Sequence, residues 1–216
     1  MREAAIVSTA RTGIARAFKG AFNDTDAPRL AGHVMAAAIE RAGVDPARIE
    51  DTIYGVASQF GTQGNNLGRT ALFAAGLPLS IPATTVDRKC GSGLTALALA
   101  ARSIIADDID IALTGGAESI THTRNAHTPN YRTQPAEVKA HYPHAFMAMI
   151  ETAELVADRY GISREEQVEF SAKSHIRAAA AQAAEEADSN ASESRYYSVD
   201  PTPAAPASTP LHQLKV

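Results

Sequence analysis

The stretch Val86–Ile104, VDRKCGSGLTALALAARSI, holds the only cysteine of the chain, Cys90, at the point where a polar segment gives way to a long apolar helix. Two readings compete for it. A free cysteine is a small hydrophobe and among the most often buried residue types, so a packing role is the plain one. The other reading is chemical. Gly91-Ser92-Gly93 sets Cys90 at or just before a helix N-terminus, where unpaired N–H groups and the positive end of the helix dipole favour a thiolate. The glycines allow close backbone approach and leave room for an acyl group and its oxyanion donors. Arg88 and Lys89 either add positive charge or are simply solvated. Local chemistry leaves the two readings level.

Outward from this stretch, strand and helix alternate. Thr84–Val86 reads as a short strand leading into the cysteine, Leu94–Ile105 as an Ala- and Leu-rich helix, and Ile109–Leu113 as an apolar strand broken by Gly115-Gly116. Toward the N-terminus, Ala4–Val7 reads as a buried strand ending in the turn-prone Thr12-Gly13. Thr25, Asp26 and Pro28 open a helix whose apolar positions Leu30, Val34, Ala37, Ala38 and Ile39 recur at helical spacing until Gly43 stops it. Thr52–Ser58 has strand propensity, and the helical Asn66–Ala75 is closed by Gly76 and Pro78. This alternation predicts an α/β fold with a mostly parallel sheet and helices on its faces.

From about Thr121 to Pro143 the periodicity lapses into His, Thr, Asn, Pro and Tyr, a long connection. Two helices follow: Phe146–Tyr160, ending at Gly161, and one opened by a Ser163/Glu166 capping box that runs to about Ala184. Beyond Ala187 the chain turns rich in Ser, Pro, Ala and Thr, with few large apolar residues, and is expected to be disordered or loosely attached. The expected division is residues 1–120, 121–186 and 187–216. There is no internal repeat.

The bulk numbers fit a chain of 216 residues with 45% hydrophobic and 20% charged residues, enough for one large domain or a core plus a smaller lobe. A net charge of −4 argues against a nucleic-acid surface. A single cysteine rules out an intrachain disulfide and suits a reducing compartment. The N-terminal MREAAIVSTARTG lacks the apolar core of a signal peptide, and no apolar run approaches a membrane span. The expectation is a soluble cytoplasmic protein without nucleic-acid or membrane partners.

Several residues are candidates for a base or a metal site. Of seven histidines, His33 falls on a predicted helix, His122, His127, His141 and His144 crowd the long connection, and His175 sits on the last helix. His141-Tyr-Pro-His144 lacks clustered Cys or carboxylates at ligand spacing, so no metal is expected. Glu118, in GGAES, is expected to order its turn by hydrogen bonding rather than to catalyse. No Gly-x-Ser-x-Gly elbow of a serine hydrolase occurs.

The Cys90 stretch resembles the nucleophile motif of the thiolases, in which a cysteine after a short polar segment, followed by small residues and Gly, opens a buried helix. The similarity extends to STARTGIARAFKG, YGVASQFGTQGNNLGRTALFAAGLP, LTGGAESIT and ETAELVADRYGISREEQVEFSAKSHIRAAAAQAA, covering roughly residues 4 to 186 in the family's order. The resemblance implies a thiolase-like half-fold, a mixed and mostly parallel sheet with helices on both faces, plus a helical loop domain. It implies that Cys90 is acylated by an acyl-CoA or 3-ketoacyl-CoA and passes the acyl group to CoA or to an acetyl-CoA carbanion. It implies substrate-binding positions at Gly91, Met149 and His144. The coenzyme A thioester is then a substrate, and no resident cofactor is expected.

Departures from the family pattern stand beside this. Asp87 replaces the usual Asn three residues before the cysteine; an ionised carboxylate there would oppose a thiolate unless turned away or paired with Arg88. Gly13 stands where a Pro is common. The His that often precedes the Met-Gly of the loop domain is missing from Ala148-Met149-Ile150, with His144 four residues earlier. The Asn-Glu-Ala-Phe-type segment, the Gly-His-Pro-type histidine, the second cysteine and the later glycine-rich CoA segment of the family's second half do not occur.

The expectation is therefore a chain that does not turn over alone, because general acid–base groups are worth about 10²–10⁴-fold each. It would be completed by a homo-oligomer or by a complementary C-terminal half chain. A split subunit, a truncated or frame-shifted product and a thiolase-like binding or assembly module all stay open, with a β-ketoacyl synthase relative less favoured. The near-apolar helix after Cys90 is expected to be buried on all sides in the complete protein.

Overall fold

The computed structural model describes residues 2–187, which form two compact units, the first reaching Thr128 and the second beginning at Pro129. The first unit is organised on a three-stranded parallel sheet of β1 (Asp51–Gly55), β2 (Thr84–Val86) and β3 (Ala112–Gly116), in the order β2-β1-β3. The register sets Gly55 beside Val86 on one side and beside Gly116 on the other. Successive side chains of a strand point to opposite faces, and in β1 both faces are covered. On one face Tyr54 packs with Met35 and Ile39 of α1 (Ala27–Ala42) and with Leu67 and Leu72 of α2 (Leu67–Ala74). On the other, Ile53 packs with Ala96 and Ala100 of α3 (Ser92–Ala106). Each fully buried Leu, Ile or Met side chain in such a core contributes roughly 1.5–3 kcal/mol. The parallel sheet with helices on both faces is the architecture that the alternating pattern predicts.

Local chemistry sets the helix ends. Pro28 stands in the first turn of α1, and Gly43 ends the helix in the left-handed region at φ 63°. Asn66 caps α2 by accepting from the Arg69 N–H at 3.3 Å. β2 matches the predicted strand, and α3 starts two residues earlier than Leu94, at Ser92.

Three strand expectations need correction. Ala4–Val7 has no regular secondary structure and pairs with no strand among the described residues, and Ile6 and Val7 are 68% and 76% exposed. A strand needs a partner ladder as well as apolar residues. This segment is instead held by side chains, with Arg2 bonded to Asp108 and Asp110, and Arg41 Nη1 donating to the Thr9 carbonyl at 2.8 Å. Between the segment, α1, α3 and β3 lies an apolar cavity of about 840 Å³. The second correction is β3, which begins at Ala112 rather than Ile109. The N–H groups of Asp110 and Ile111 donate to Glu50 Oε2 at 2.6 and 3.2 Å, so a side chain takes these two donors, while the Ile111 carbonyl still accepts the Glu50 backbone N–H at 3.0 Å. Gly115 and Gly116 end this strand rather than break it: a Cβ on Gly115 would stand 2.8 Å from the Tyr54 ring, which needs that space. Third, β1 stops at Gly55, short of Ser58, because the Ala57 N–H donates to Glu118 instead of continuing a ladder.

The connection after Thr121 is not featureless. It contains the end of α4 (Ile120–Thr123) in the first unit and α5 (Ala136–His141) in the second. The second unit continues with α6 (Met149–Tyr160) and α7 (Arg164–Ala187). α6 starts later than Phe146 because Ala145 and Met147 are in turns bonded to Tyr142 and His144 carbonyls, and because Ala148 is extended at ψ 148°. Gly161 ends it at φ 64°. The predicted capping box of α7 is present: Ser163 N–H donates to Glu166 Oε2 at 2.8 Å, and Glu166 N–H to Ser163 Oγ at 3.2 Å. The helix runs to Ala187, past the predicted Ala184. The expected disordered tail lies, from residue 188 on, outside the described residues.

Candidate active site

Cys90 sits on the turn that connects the C-terminal end of β2 to the N-terminus of α3, with its thiol exposed. In a parallel sheet the loops at the carboxyl ends of the strands converge, and here the segments leaving β1, β2 and β3 meet. Two glycines, Gly55 and Gly116, make the convergence possible. Gly55 and Gly116 are neighbours in the sheet, and a Cβ on Gly55 would lie 2.3 Å from the Ser92 carbonyl carbon. A Cβ on Gly116 would lie 3.3 Å from the Gly93 Cα. The first turn of α3 therefore rests directly on the sheet backbone, and any side chain at Gly55 would lift it.

The turn itself is fixed by a dense set of hydrogen bonds. Gly91 N–H donates to the Arg88 carbonyl and Ser92 N–H to the Lys89 carbonyl, both at 3.0 Å. The buried Ser92 hydroxyl donates to the Lys89 carbonyl at 2.6 Å and accepts from the Arg88 N–H at 2.9 Å. Lys89 takes the left-handed conformation at φ 48°, uncommon for a residue with a side chain. No side chain caps α3, so the positive end of its dipole is open at Cys90 and Gly91.

Asp87 is neither turned away nor paired with Arg88, the two arrangements weighed from the sequence: it pairs with Lys89. Its Oδ2 lies 2.6 Å from Lys89 Nζ and its Oδ1 accepts the Lys89 N–H at 2.7 Å. A two-residue separation suits an Asx turn closed by a salt bridge, whereas Arg88 takes part through its backbone. Partial burial pulls the Asp87 carboxyl upward, but the hydrogen bonds and charge of Lys89 outweigh it and hold the group below its ordinary value.

The ammonium of Lys89 also donates to the Ala57 carbonyl at 3.3 Å. The N–H of that same Ala57 donates to Glu118 Oε2 at 2.9 Å, and Glu118 Oε1 accepts from Gln63 Nε2 at 2.8 Å. Gln63 is fully buried; it also donates to the Ser58 carbonyl at 2.7 Å and accepts from the Ser119 N–H. Glu118 orders its turn by hydrogen bonding, as its place in GGAES implies. The part played by Gln63 and Lys89 had no distinguishing signal in the sequence, except the Asp-x-Lys spacing that an Asx turn favours.

The other candidates fall elsewhere. Gly91 is the N-cap residue of α3, adjacent to Cys90. His144 and Met149 belong to the second unit, where both are exposed, Met149 as the first residue of α6. His141 and His175 are exposed there too. In the first unit His122 is half-buried with Nε2 2.7 Å from the Asn23 carbonyl, His127 is exposed, and His33 lies on α1. Among the described residues no histidine ring hydrogen-bonds the Cys90 thiol, and no three His, Cys, Asp or Glu side chains gather to hold a metal ion. No described helix is long and apolar enough to cross a membrane.

With this geometry in place, comparison with known proteins is informative. A family model described as "Thiolase, N-terminal domain" matches residues 4–190. The 3-ketoacyl-CoA thiolase of Vibrio vulnificus strain YJ016 is 41% identical over 182 residues, 84% of this chain and 46% of the relative. The 3-ketoacyl-CoA thiolase of Bacillus subtilis strain 168 is 40% identical with the same coverage. The acetyl-CoA acetyltransferase of Chromobacterium violaceum is 42% identical over 192 residues, 84% of this chain and 48% of the relative. The chain thus spans about half the length of the relatives it matches. An exposed cysteine on a glycine-seated strand-to-helix turn, within a sequence matched almost throughout by that domain, establishes that this chain belongs to the thiolase family, as its N-terminal domain.

Proposed function

We propose that this chain supplies the acyl-carrying half of a thiolase-type acyltransferase, with Cys90 as the nucleophile. The observation that carries the reading is the exposed Cys90 thiol on the β2–α3 turn, at the open N-terminus of α3. The Cys90 sulfur attacks the thioester carbonyl carbon of an acyl-CoA, the bond to the CoA sulfur breaks, and the proton given up by Cys90 leaves with CoA as its thiol. The acyl group then passes to the carbanion of acetyl-CoA, with release of the Cys90 thiolate. In the thiolytic direction Cys90 attacks the 3-keto carbon of a 3-ketoacyl-CoA, the C2–C3 bond breaks, C2 of the departing acetyl-CoA takes up a proton, and the acyl group passes to CoA. Gly91 lines the acyl position in the nucleophile-bearing core, residues 1–120, and Met149 and His144 are the substrate-binding positions of the loop domain, residues 121–186. Coenzyme A thioesters are the substrates and no resident cofactor takes part. The setting is the cytoplasm, in lipid or fatty-acid metabolism.

The groups that activate the thiol and form the carbanion come from a complementary C-terminal half chain or from other members of an oligomer. The apolar residues Leu94 and Ile105 of α3, 74% and 44% exposed, support a partner surface there. Intact-mass measurement of the purified chain after incubation with acetyl-CoA tests the reading. One added acetyl group that is lost in Cys90→Ala is expected. Absence of labelling at every pH, with and without a thiolase C-terminal half supplied in trans, would instead favour a non-catalytic binding module. Steady-state thiolysis is expected only when the second half is present.

A further inference from the structure

The pair Asp87–Lys89 has no part in the scheme above, yet it flanks the nucleophile. A negative charge three residues before a cysteine opposes thiolate formation, and a positive charge next to it does the reverse. In this fold the two charges are locked together. Lys89 Nζ is 2.6 Å from Asp87 Oδ2, and the Lys89 N–H closes an Asx turn on the same carboxylate at 2.7 Å. The ammonium donates also to the Ala57 carbonyl, at 3.3 Å, so it bridges the nucleophile turn to the segment leaving β1. That segment is itself held by Glu118 through the Ala57 N–H at 2.9 Å.

The charged groups around the turn can be named element by element. The turn carries Asp87, Arg88 and Lys89; the segment leaving β3 carries Glu118, which is already engaged by Ala57 and Gln63; the first turn of α3 carries no acidic residue. Of these, the Lys89 ammonium alone is salt-bridged to a carboxylate.

We propose that Lys89 is a positioning residue for Cys90: it neutralises the Asp87 carboxylate and ties the nucleophile turn to Ala57, so that the acidic residue beside the cysteine does not suppress the thiolate. This rests on the reading of Cys90 as the acyl-carrying nucleophile. It assigns Asp87 and Lys89 a joint role, in which the acidic residue closes the turn and the basic one cancels its charge.

The test is the pH profile of Cys90 alkylation by iodoacetamide in the full chain, measured for wild type, K89M, D87N, D87N/K89M and K89R, with far-UV circular dichroism as the folding control. D87N preserves the turn, because an Asn side chain accepts the Lys89 N–H as Asp does. K89M is expected to move the midpoint of the profile upward by about half a pH unit, the order of size of one uncompensated charge acting through water-like surroundings. D87N is expected to move it downward. The double variant D87N/K89M is expected to return to the wild-type midpoint, and K89R to keep it. A K89M profile that superimposes on wild type overturns the proposal, as does a D87N/K89M midpoint that stays with that of K89M instead of returning to wild type, which would make the effect of Lys89 independent of the Asp87 charge. The acetylation of wild-type Cys90 is scored separately. A shifted K89M midpoint without acetylation overturns the acyl-transfer reading alone, and acetylation with an unshifted midpoint overturns the role of Lys89 alone.

Discussion

Gly55 in β1 lies beneath Ser92 in the first turn of α3 so closely that a Cβ on the glycine would stand 2.3 Å from the Ser92 carbonyl carbon. This contact sets the height of the α3 N-terminus over the sheet, and with it the position of Cys90. The obstacle to a side chain is backbone, which cannot rotate away as a flexible side chain would.

Gly55→Ala is therefore expected to cost about 2–3 kcal/mol, at the upper end for overpacking in a close-packed core. Gly93→Ala is the contrasting case, since its Cβ would meet nothing within 4 Å, and a gain of about 0.5 kcal/mol is expected from the restricted unfolded chain. Urea unfolding of the two variants checks both. Equal stabilities would show that α3 does not rest on Gly55.

Gln63 is fully buried and holds three partners at once: the Ser58 carbonyl, Glu118 and the Ser119 N–H. Gln63→Leu leaves these groups without their partner, at an expected cost of about 3 kcal/mol. Glu118→Gln retains one carbonyl acceptor and is expected to cost about 1 kcal/mol. The reverse order in chemical denaturation would contradict this network as the tie between the loops after β1 and β3.

The Asp87 carboxyl is held below its ordinary value of 3.8 in the folded chain by its hydrogen bonds and ion pair with Lys89. A carboxyl lowered in the folded state stabilises that state above the unfolded value, and the contribution is lost as pH falls through the folded one. Stability of the wild type should consequently fall more steeply than that of D87N as pH drops from 5 to below 3.8, measured by thermal melts at each pH. Parallel curves would show that the pair contributes nothing on folding.

Tyr54 is 2% exposed, and burial pushes its phenol far above the ordinary value of 10.0. A raised acid of this kind stabilises the folded state fully below the unfolded value and progressively less as pH rises above it. Tyr54→Phe should then resist alkaline unfolding above about pH 10 better than wild type. Tyrosinate absorbance provides the readout, because Tyr54 should ionise only together with loss of circular dichroism. Ionisation of all six tyrosines ahead of unfolding would refute it.

Helix boundaries were the most legible part of the chain. Pro28 with Gly43, Asn66 with Gly76, and Ser163 with Glu166 carry their signals within one turn, because capping is a contact between residues close in sequence. Strand limits were less so. The Glu50 carboxylate takes the Asp110 and Ile111 N–H groups, and Glu118 takes the Ala57 N–H, both from about sixty residues away. Ala4–Val7 has the composition of a strand and no partner ladder among the described residues.

The sequence by itself determined that this is an α/β chain of the thiolase family, with Cys90 on a glycine-flanked turn before a helix, because propensity, capping and motif order are properties of neighbours along the chain. Tertiary structure alone decided what surrounds that cysteine. Gly55 under Ser92, Lys89 between Asp87 and Ala57, and Gln63 beneath Glu118 are meetings of segments up to about sixty residues apart. Only parallel strand pairing, which brings the carboxyl ends of β1, β2 and β3 together, places them in contact.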